Sequence, residues 1–176
     1  MGDRRTELLK LLDRSGASLF ALLTRLTLRQ DVAEELMQDL FLKLSAAKDQ
    51  GDIDCWYAYA RRTAINLAFD WRRRQKIRRT CSLDESLDRV SEAGSPLGTL
   101  IEAEELEQVL AAIDRLRGPS REAFVLRYIE QESYERIAEQ LGKTPHHVRA
   151  LCSRAMSMLR NCVVEDGKEV QHVEDE

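Results

Sequence analysis

The sequence predicts an all-α protein made of two small helical domains joined by a flexible acidic linker. Apolar residues recur at helical spacing along both halves of the chain. Three prolines and eight glycines in 176 residues leave few breakers, while 43% hydrophobic and 33% charged residues suit surface-rich helices around small cores. Between Thr80 and Thr99 periodicity disappears and Ser, Gly, Pro and acids accumulate, as in a linker. The expected organisation is a first domain over 1–80, a linker over 81–99, a second domain over 100–162 and an acidic tail over 163–176.

Each element follows in order. From Glu7 to Leu28, Leu8, Leu11, Leu12, Leu19, Leu22, Leu23 and Leu26 give one or two helices, with a break expected near Ser15-Gly16. Asp31 is placed to cap the next helix, whose stripe of Val32, Leu36, Leu40 and Leu44, with Met37, Phe41 and Ala47 alongside, runs to about Lys48. A third helix is expected from about Asp54 to Arg79. Beyond the linker, helices are predicted from Leu100 to Leu116, from Ser120 to Ile129, from Ser133 to Leu141 and from Thr144 to about Cys162.

Net charge is −4, so no uniform basic field marks a nucleic-acid protein. The distribution says more: the segment 54–79 carries eight basic residues against Asp54 and Asp70, whereas the linker and tail are acidic. No apolar run approaches the roughly 20 residues needed to span a bilayer, and the opening residues lack a signal peptide's features, so a cytoplasmic location is expected. Cys55, Cys81, Cys152 and Cys162 form no CxxC pair and read as ordinary thiols. No phosphate loop, nucleophile elbow or metal-ligand cluster is present, so neither an enzyme nor a cofactor or metal is expected.

The segment YERIAEQLGKTPHHVRALCSRAMSML has helix-turn-helix spacing. Ala138 allows a close crossing, Gly142 supplies a positive φ at the turn, and Thr144 caps a helix that begins at Pro145. Ile137, Ala138, Leu141, Val148, Leu151 and Met156 would face inward. The second helix would then offer Thr144, His146, His147, Arg149, Ala150, Ser153 and Arg154 to a DNA major groove. A zinc site at the paired histidines with Cys152 is disfavoured, because adjacent residues diverge around a helix.

In segment 54–79, Trp56, Tyr57, Tyr59, Phe69 and Trp71 interleave with the basic residues, a composition suited to tracking a phosphate backbone and stacking unpaired bases. Helical spacing puts Arg62, Asn66, Phe69 and Arg73 near one stripe, with Asp70 and Arg74 adjoining. The same composition also fits rings packed in a core with the arginines as a solvated face.

The stretch DVAEELMQDLFLKLSAAKDQGDIDCWYAYARRTAINLAFDWRRRQK, followed by GPSREAFVLRYIEQESYERIAEQLGKTPHHVRALCSRAMSMLR, resembles the extracytoplasmic-function (ECF) class of bacterial sigma factors. The resemblance runs from about Glu7 to Leu159 and implies a promoter-melting region 2, a variable linker and a helix-turn-helix region 4. It implies that Glu34, Glu35, Gln38, Asp39 and Lys43 contact the β′ clamp helices of core RNA polymerase. It places Trp56, Tyr59 and Asn66 around a flipped −10 base, with Lys48 to Asp54 as the capturing loop. Arg62, Asp70, Arg72, Arg73 and Arg74 would hold the non-template strand. Arg149 and Arg154 would read the −35 element, the helices from Ser120 to Leu141 would dock on the β flap, and an anti-sigma factor becomes an expected partner.

Two departures stand out against the family pattern. His146-His147 replace a common Gly-Thr pair and Ala150-Leu151 a common Ser-Arg pair, so the −35 sequence should differ or its contact weaken. The loop before Trp56 lacks the usual Phe-Arg-Gly, which leaves the captured base open. The alternative is a helix-turn-helix regulator that binds duplex operators without core polymerase; it accounts for the second half of the chain but not the first.

Overall fold

In the computed structural model, residues 4–47, 55–81 and 96–171 are described, with side chains over 8–47, 55–80 and 104–161 and at Thr6. The described residues are mostly helical, with no strand among them, and they divide into two compact units, Met1–Leu83 and Asp84–Glu176.

The first unit packs α1 (Arg4–Thr27), α2 (Gln30–Ala46) and α3 (Trp56–Cys81) against one another. Leu19, Leu22, Leu23 and Leu26 of α1 meet Val32, Ala33, Leu36, Leu40 and Leu44 of α2 and Ala60, Ala64, Ile65, Leu67, Ala68 and Phe69 of α3, all buried. The break expected near Ser15-Gly16 does not occur, and α1 is continuous. A glycine inside a helix costs only about 1 kcal/mol relative to alanine. Burial of the flanking leucines outweighs that.

Helix α1 stops at Leu28, whose φ of 58° is left-handed and whose N–H donates to the Thr24 carbonyl at 2.8 Å. The next helix is not capped by Asp31. Arg29 is the N-cap, and Asp31 sits in the first turn with its carboxylate held by the Arg29 guanidinium at 2.5 Å. The hydrogen bond from Arg29 holds the exposed Asp31 carboxyl below its ordinary range. Phe41, expected at the edge of the inward stripe, is exposed, because its place one residue after Leu40 turns it about 100° away from the core.

The second unit contains α4 (Pro96–Arg115), α5 (Gly118–Phe124), α6 (Tyr134–Leu141) and α7 (Pro145–Gln171). Its core holds Leu110 and Ile113 of α4 with Leu116 just after it, Ala123, Phe124, Val125 and Leu126, Ile137 and Ala138 of α6, and Val148, Leu151, Cys152, Ala155 and Leu159 of α7. Arg121, largely buried, pairs with Asp114 at 3.3 Å and so ties α5 to α4.

The regular helix expected to reach Ile129 ends at Phe124. It continues as a π-helical turn, Val125–Ile129, in which the Glu130 N–H reaches back five residues to the Val125 carbonyl at 3.1 Å. Helix α4 begins within the expected linker, and α7 extends past Cys162 as far as Gln171, so the start of the expected unpacked tail is helical. The expected capture loop over 48–54 and the linker residues 82–95 lie outside the described residues.

Candidate nucleic-acid interface

Over its first half, helix α3 turns its small and apolar residues into the core. With Ala60, Ala64, Leu67 and Ala68 turned into the core, Arg62, Asn66, Arg73 and Arg74 are exposed, and Asp70 is half-buried and paired with Arg73 one turn along. Phe69, placed by spacing near the same stripe, is fully buried: it closes the core under the charged face and offers no ring to DNA. Trp56, Tyr57, Tyr59 and Trp71 are all half-buried, and Trp56 and Tyr59 stand together at the start of the helix. They pack edge to face at 84° with centroids 6.1 Å apart, within the favourable range for aromatic pairs.

Arg72 turns the other way. It is half-buried and its Nη1 donates to the Leu26 carbonyl at 3.3 Å, satisfying an acceptor at the C-terminal end of α1. Its charge lies beside the strip and its guanidinium braces the bundle. Arg61, whose role sequence reasoning did not separate from its neighbours', is buried, with its guanidinium carbon 5.3 Å from the Tyr57 ring centroid.

On α2, Glu34, Glu35, Gln38, Asp39 and Lys43 are all exposed, with Leu36 and Leu40 buried on the opposite side. Phe41 and Leu42 share that exposed side, at 38% and 62% exposure. They give the polar face an apolar component that periodicity had assigned inward or passed over.

In the second unit, the turn between α6 and α7 is built from its own residues. Gly142 adopts φ 61°, ψ 40°, and the Lys143 N–H closes the end of α6 on the Ala138 carbonyl at 2.9 Å. The Thr144 hydroxyl accepts from the His147 N–H at 3.2 Å, and Pro145 opens α7 where an N–H has no intrahelical partner to lose. Thr144, His146, His147, Arg149, Ser153 and Arg154 are exposed and Ala150 is half-buried, above a buried row of Val148, Leu151, Cys152 and Ala155. The Cys152 thiol points into the unit, 3.7 Å from the Ala123 carbonyl, and burial raises its pKa, away from the histidine pair.

Sequence reasoning missed the residues behind Arg149. Glu135 pairs with the Arg149 guanidinium at 3.2 Å, and Tyr134 carries two guanidinium carbons near its ring, Arg127 at 4.5 Å and Arg149 at 5.1 Å from the centroid. No periodicity links positions 127, 134, 135 and 149; the turn geometry brings them together.

Residues 106–159 match the family described as sigma-70, region 4. Over 152 residues, 86% of the chain, the sequence is 30% identical to the ECF RNA polymerase sigma factor SigE of Mycolicibacterium smegmatis. Over most of its length the chain is thus similar in sequence to an ECF sigma factor. It spans 59% of the length of that relative. In fold it resembles the sigma factor RpoE of Bartonella quintana, solved in complex with the anti-sigma factor NepR, with a TM-score of 0.51 and 24% identity over 93% of this chain and 98% of that one. CnrH, solved with the cytosolic domain of CnrY, aligns with a TM-score of 0.49 and 23% identity over 94% of this chain and 92% of its own. The region 4 match covers α6, the turn and the first half of α7, which includes every exposed helix-turn-helix residue named above.

Proposed function

We propose that the chain is an alternative sigma factor of the ECF class, which binds core RNA polymerase, brings it to specific promoters and helps melt the −10 region. The observation that carries this reading is the pairing in one chain of a region 4 match over 106–159 with a separate three-helix unit whose α3 presents a basic strip beside two aromatic rings. A regulator of duplex operators has no use for that first unit. Residues 1–80 would act as region 2, 81–99 as the linker and 100–162 as region 4.

In this reading the strip of Arg62, Asn66, Arg73 and Arg74, with Asp70 ordering Arg73, holds the non-template strand, and Trp56 and Tyr59 stack on unpaired bases. Unstacking a base takes a few kcal/mol, which base-aromatic stacking of about 1–3 kcal/mol per base and phosphate contacts can offset without ATP. Thr144, His146, His147, Arg149, Ala150, Ser153 and Arg154 line the −35 helix, with Arg149 and Arg154 as the base readers. Glu34, Glu35, Gln38, Asp39 and Lys43, joined by Phe41 and Leu42, form the surface for the β′ clamp helices, and the helices ahead of α7 dock on the β flap. An anti-sigma protein is a partner implied by the family resemblance. The activity is binding and strand capture in the cytoplasm, with no catalytic step and no cofactor.

The test is gel filtration of the full chain with core polymerase. Co-elution that Gln38→Arg together with Leu42→Glu abolishes supports the reading. Failure of the unaltered chain to bind core, with duplex DNA still retained, would transfer the case to the operator-binding alternative.

A further inference from the structure

We infer that Glu135 and Tyr134 are positioning residues that hold the Arg149 side chain in one direction for base reading, and that Glu135 also suppresses binding to wrong sequences. The inference rests on the reading of α7 as the promoter-reading helix.

Arginine discriminates guanine only when its planar fork is presented edge-on to the base. Left free, the same side chain settles on whichever phosphate is nearest, which gives affinity without sequence. Arg149 is exposed, its side chain 55% accessible, yet two groups outside α7 constrain it. The Tyr134 ring, half-buried at the start of α6, lies 5.1 Å from its guanidinium carbon, and the Glu135 carboxylate, 61% accessible, takes one Nη at 3.2 Å. A ring beneath the plane and an anion on one nitrogen leave the remaining N–H groups of the fork to point outward.

The ring is itself held. Arg127 lies 4.5 Å from the Tyr134 centroid, and its Nη1 is anchored on the Glu132 carbonyl at 2.7 Å. Arg127 stands in the π-helical turn, whose extra residue per turn changes the direction of the side chains it carries. Two cations beside one ring repel each other, so Arg127 disfavours collapse of Arg149 back onto the unit, and Glu135 offsets that repulsion from the solvent side. Facing DNA, the same carboxylate repels phosphates. A misregistered complex would gain little from Arg149 and would still bear Glu135.

The experiment uses the full chain assembled with core polymerase on a promoter library randomised across the upstream element, read by sequencing the transcripts, alongside competition by non-specific duplex. Four variants are compared: Arg149→Ala, Glu135→Gln, Tyr134→Leu and Tyr134→Phe. The base position at which Arg149→Ala flattens the preference identifies what Arg149 reads; a bidentate arginine contact gives roughly five- to hundredfold discrimination there. Expected results are a several-fold loss at that same position for Glu135→Gln and Tyr134→Leu, no loss for Tyr134→Phe, and several-fold tighter non-specific binding for Glu135→Gln alone.

A merely structural role would weaken specific and non-specific binding together and would not act at one position. If Arg149→Ala flattens a position that Glu135→Gln and Tyr134→Leu leave sharp, the positioning role is wrong and the reading of α7 stands. If Arg149→Ala changes no position, that reading is itself wrong and the inference falls with it. Glu135→Gln removes an exposed charge only, so it tests the inference even if Tyr134→Leu loosens the fold.

Discussion

Two glycines with opposite backbone conformations give opposite predictions for the same substitution. A Cβ at Gly16, in the middle of α1, meets nothing within 4 Å, so alanine there gains helix propensity with no clash, and the first unit should gain up to about 1 kcal/mol. A Cβ at Gly142 also meets nothing within 4 Å, but φ is +61°, which disfavours an L-residue by about 1–2 kcal/mol. The lower entropy of the unfolded alanine chain returns about 0.4–1 kcal/mol, leaving Gly142→Ala destabilising by about 1 kcal/mol in the second unit. Peptide-resolved hydrogen exchange on the full chain measures both, because α1–α3 and α5–α7 belong to separate units and report their own opening. Protection should rise about fivefold across the first unit in Gly16→Ala and fall by a similar factor across the second in Gly142→Ala. A neutral or stabilising Gly142→Ala would refute the argument that backbone conformation, and not packing, demands glycine at the turn.

Phe69→Ala should destabilise the first unit by about 3–5 kcal/mol, since the ring is fully buried, whereas Arg62→Ala on the exposed side should stay within about 0.5 kcal/mol; urea unfolding compares them. Cys55, exposed, should alkylate rapidly in the native protein, while Cys152, buried with its thiol pKa raised by desolvation, should react only on unfolding, as peptide mass mapping would show. Asp31 titrates below its ordinary value because of Arg29, so the pair's small contribution is present above an unfolded pKa of about 3.9 and is lost as pH falls through the lower folded value. The stability difference between the unaltered chain and Arg29→Ala should therefore narrow on acidification and vanish at the acid end.

Periodicity and turn chemistry carried most of the architecture. Leucine spacing in α1 and α2, Gly142, and the Thr144-Pro145 start of α7 all act within a few residues, so the sequence displays them directly. The misreadings arose where tertiary packing or a non-repeating turn decides. Burial carried α1 through Gly16, and the π-helical turn at Val125–Ile129 leaves no mark in an apolar pattern of period 3.6. Asp31 has the residue type of a cap, but the chain turns two to three residues earlier, at Leu28 and Arg29.

The candidate interface divides in the same way. Exposure of Asn66, Arg62, Arg149 and Arg154 follows from helical phase, which a sequence shows. Phe69 lies at the border of the core arc, where spacing alone cannot choose a side, and Arg72 is drawn toward an acceptor 46 residues earlier in the chain. The Glu135 and Tyr134 contacts to Arg149 span the turn between two helices, and only the folded geometry joins them.

The measurement that bears most directly on the central claim is transcription from a genomic fragment library by core polymerase with and without the full chain, with start sites mapped. The account predicts new starts that share upstream elements at two fixed spacings, one lost when Arg149 and Arg154 are replaced by alanine and the other when Asn66 and Arg62 are. Initiation indistinguishable from core polymerase alone would contradict it.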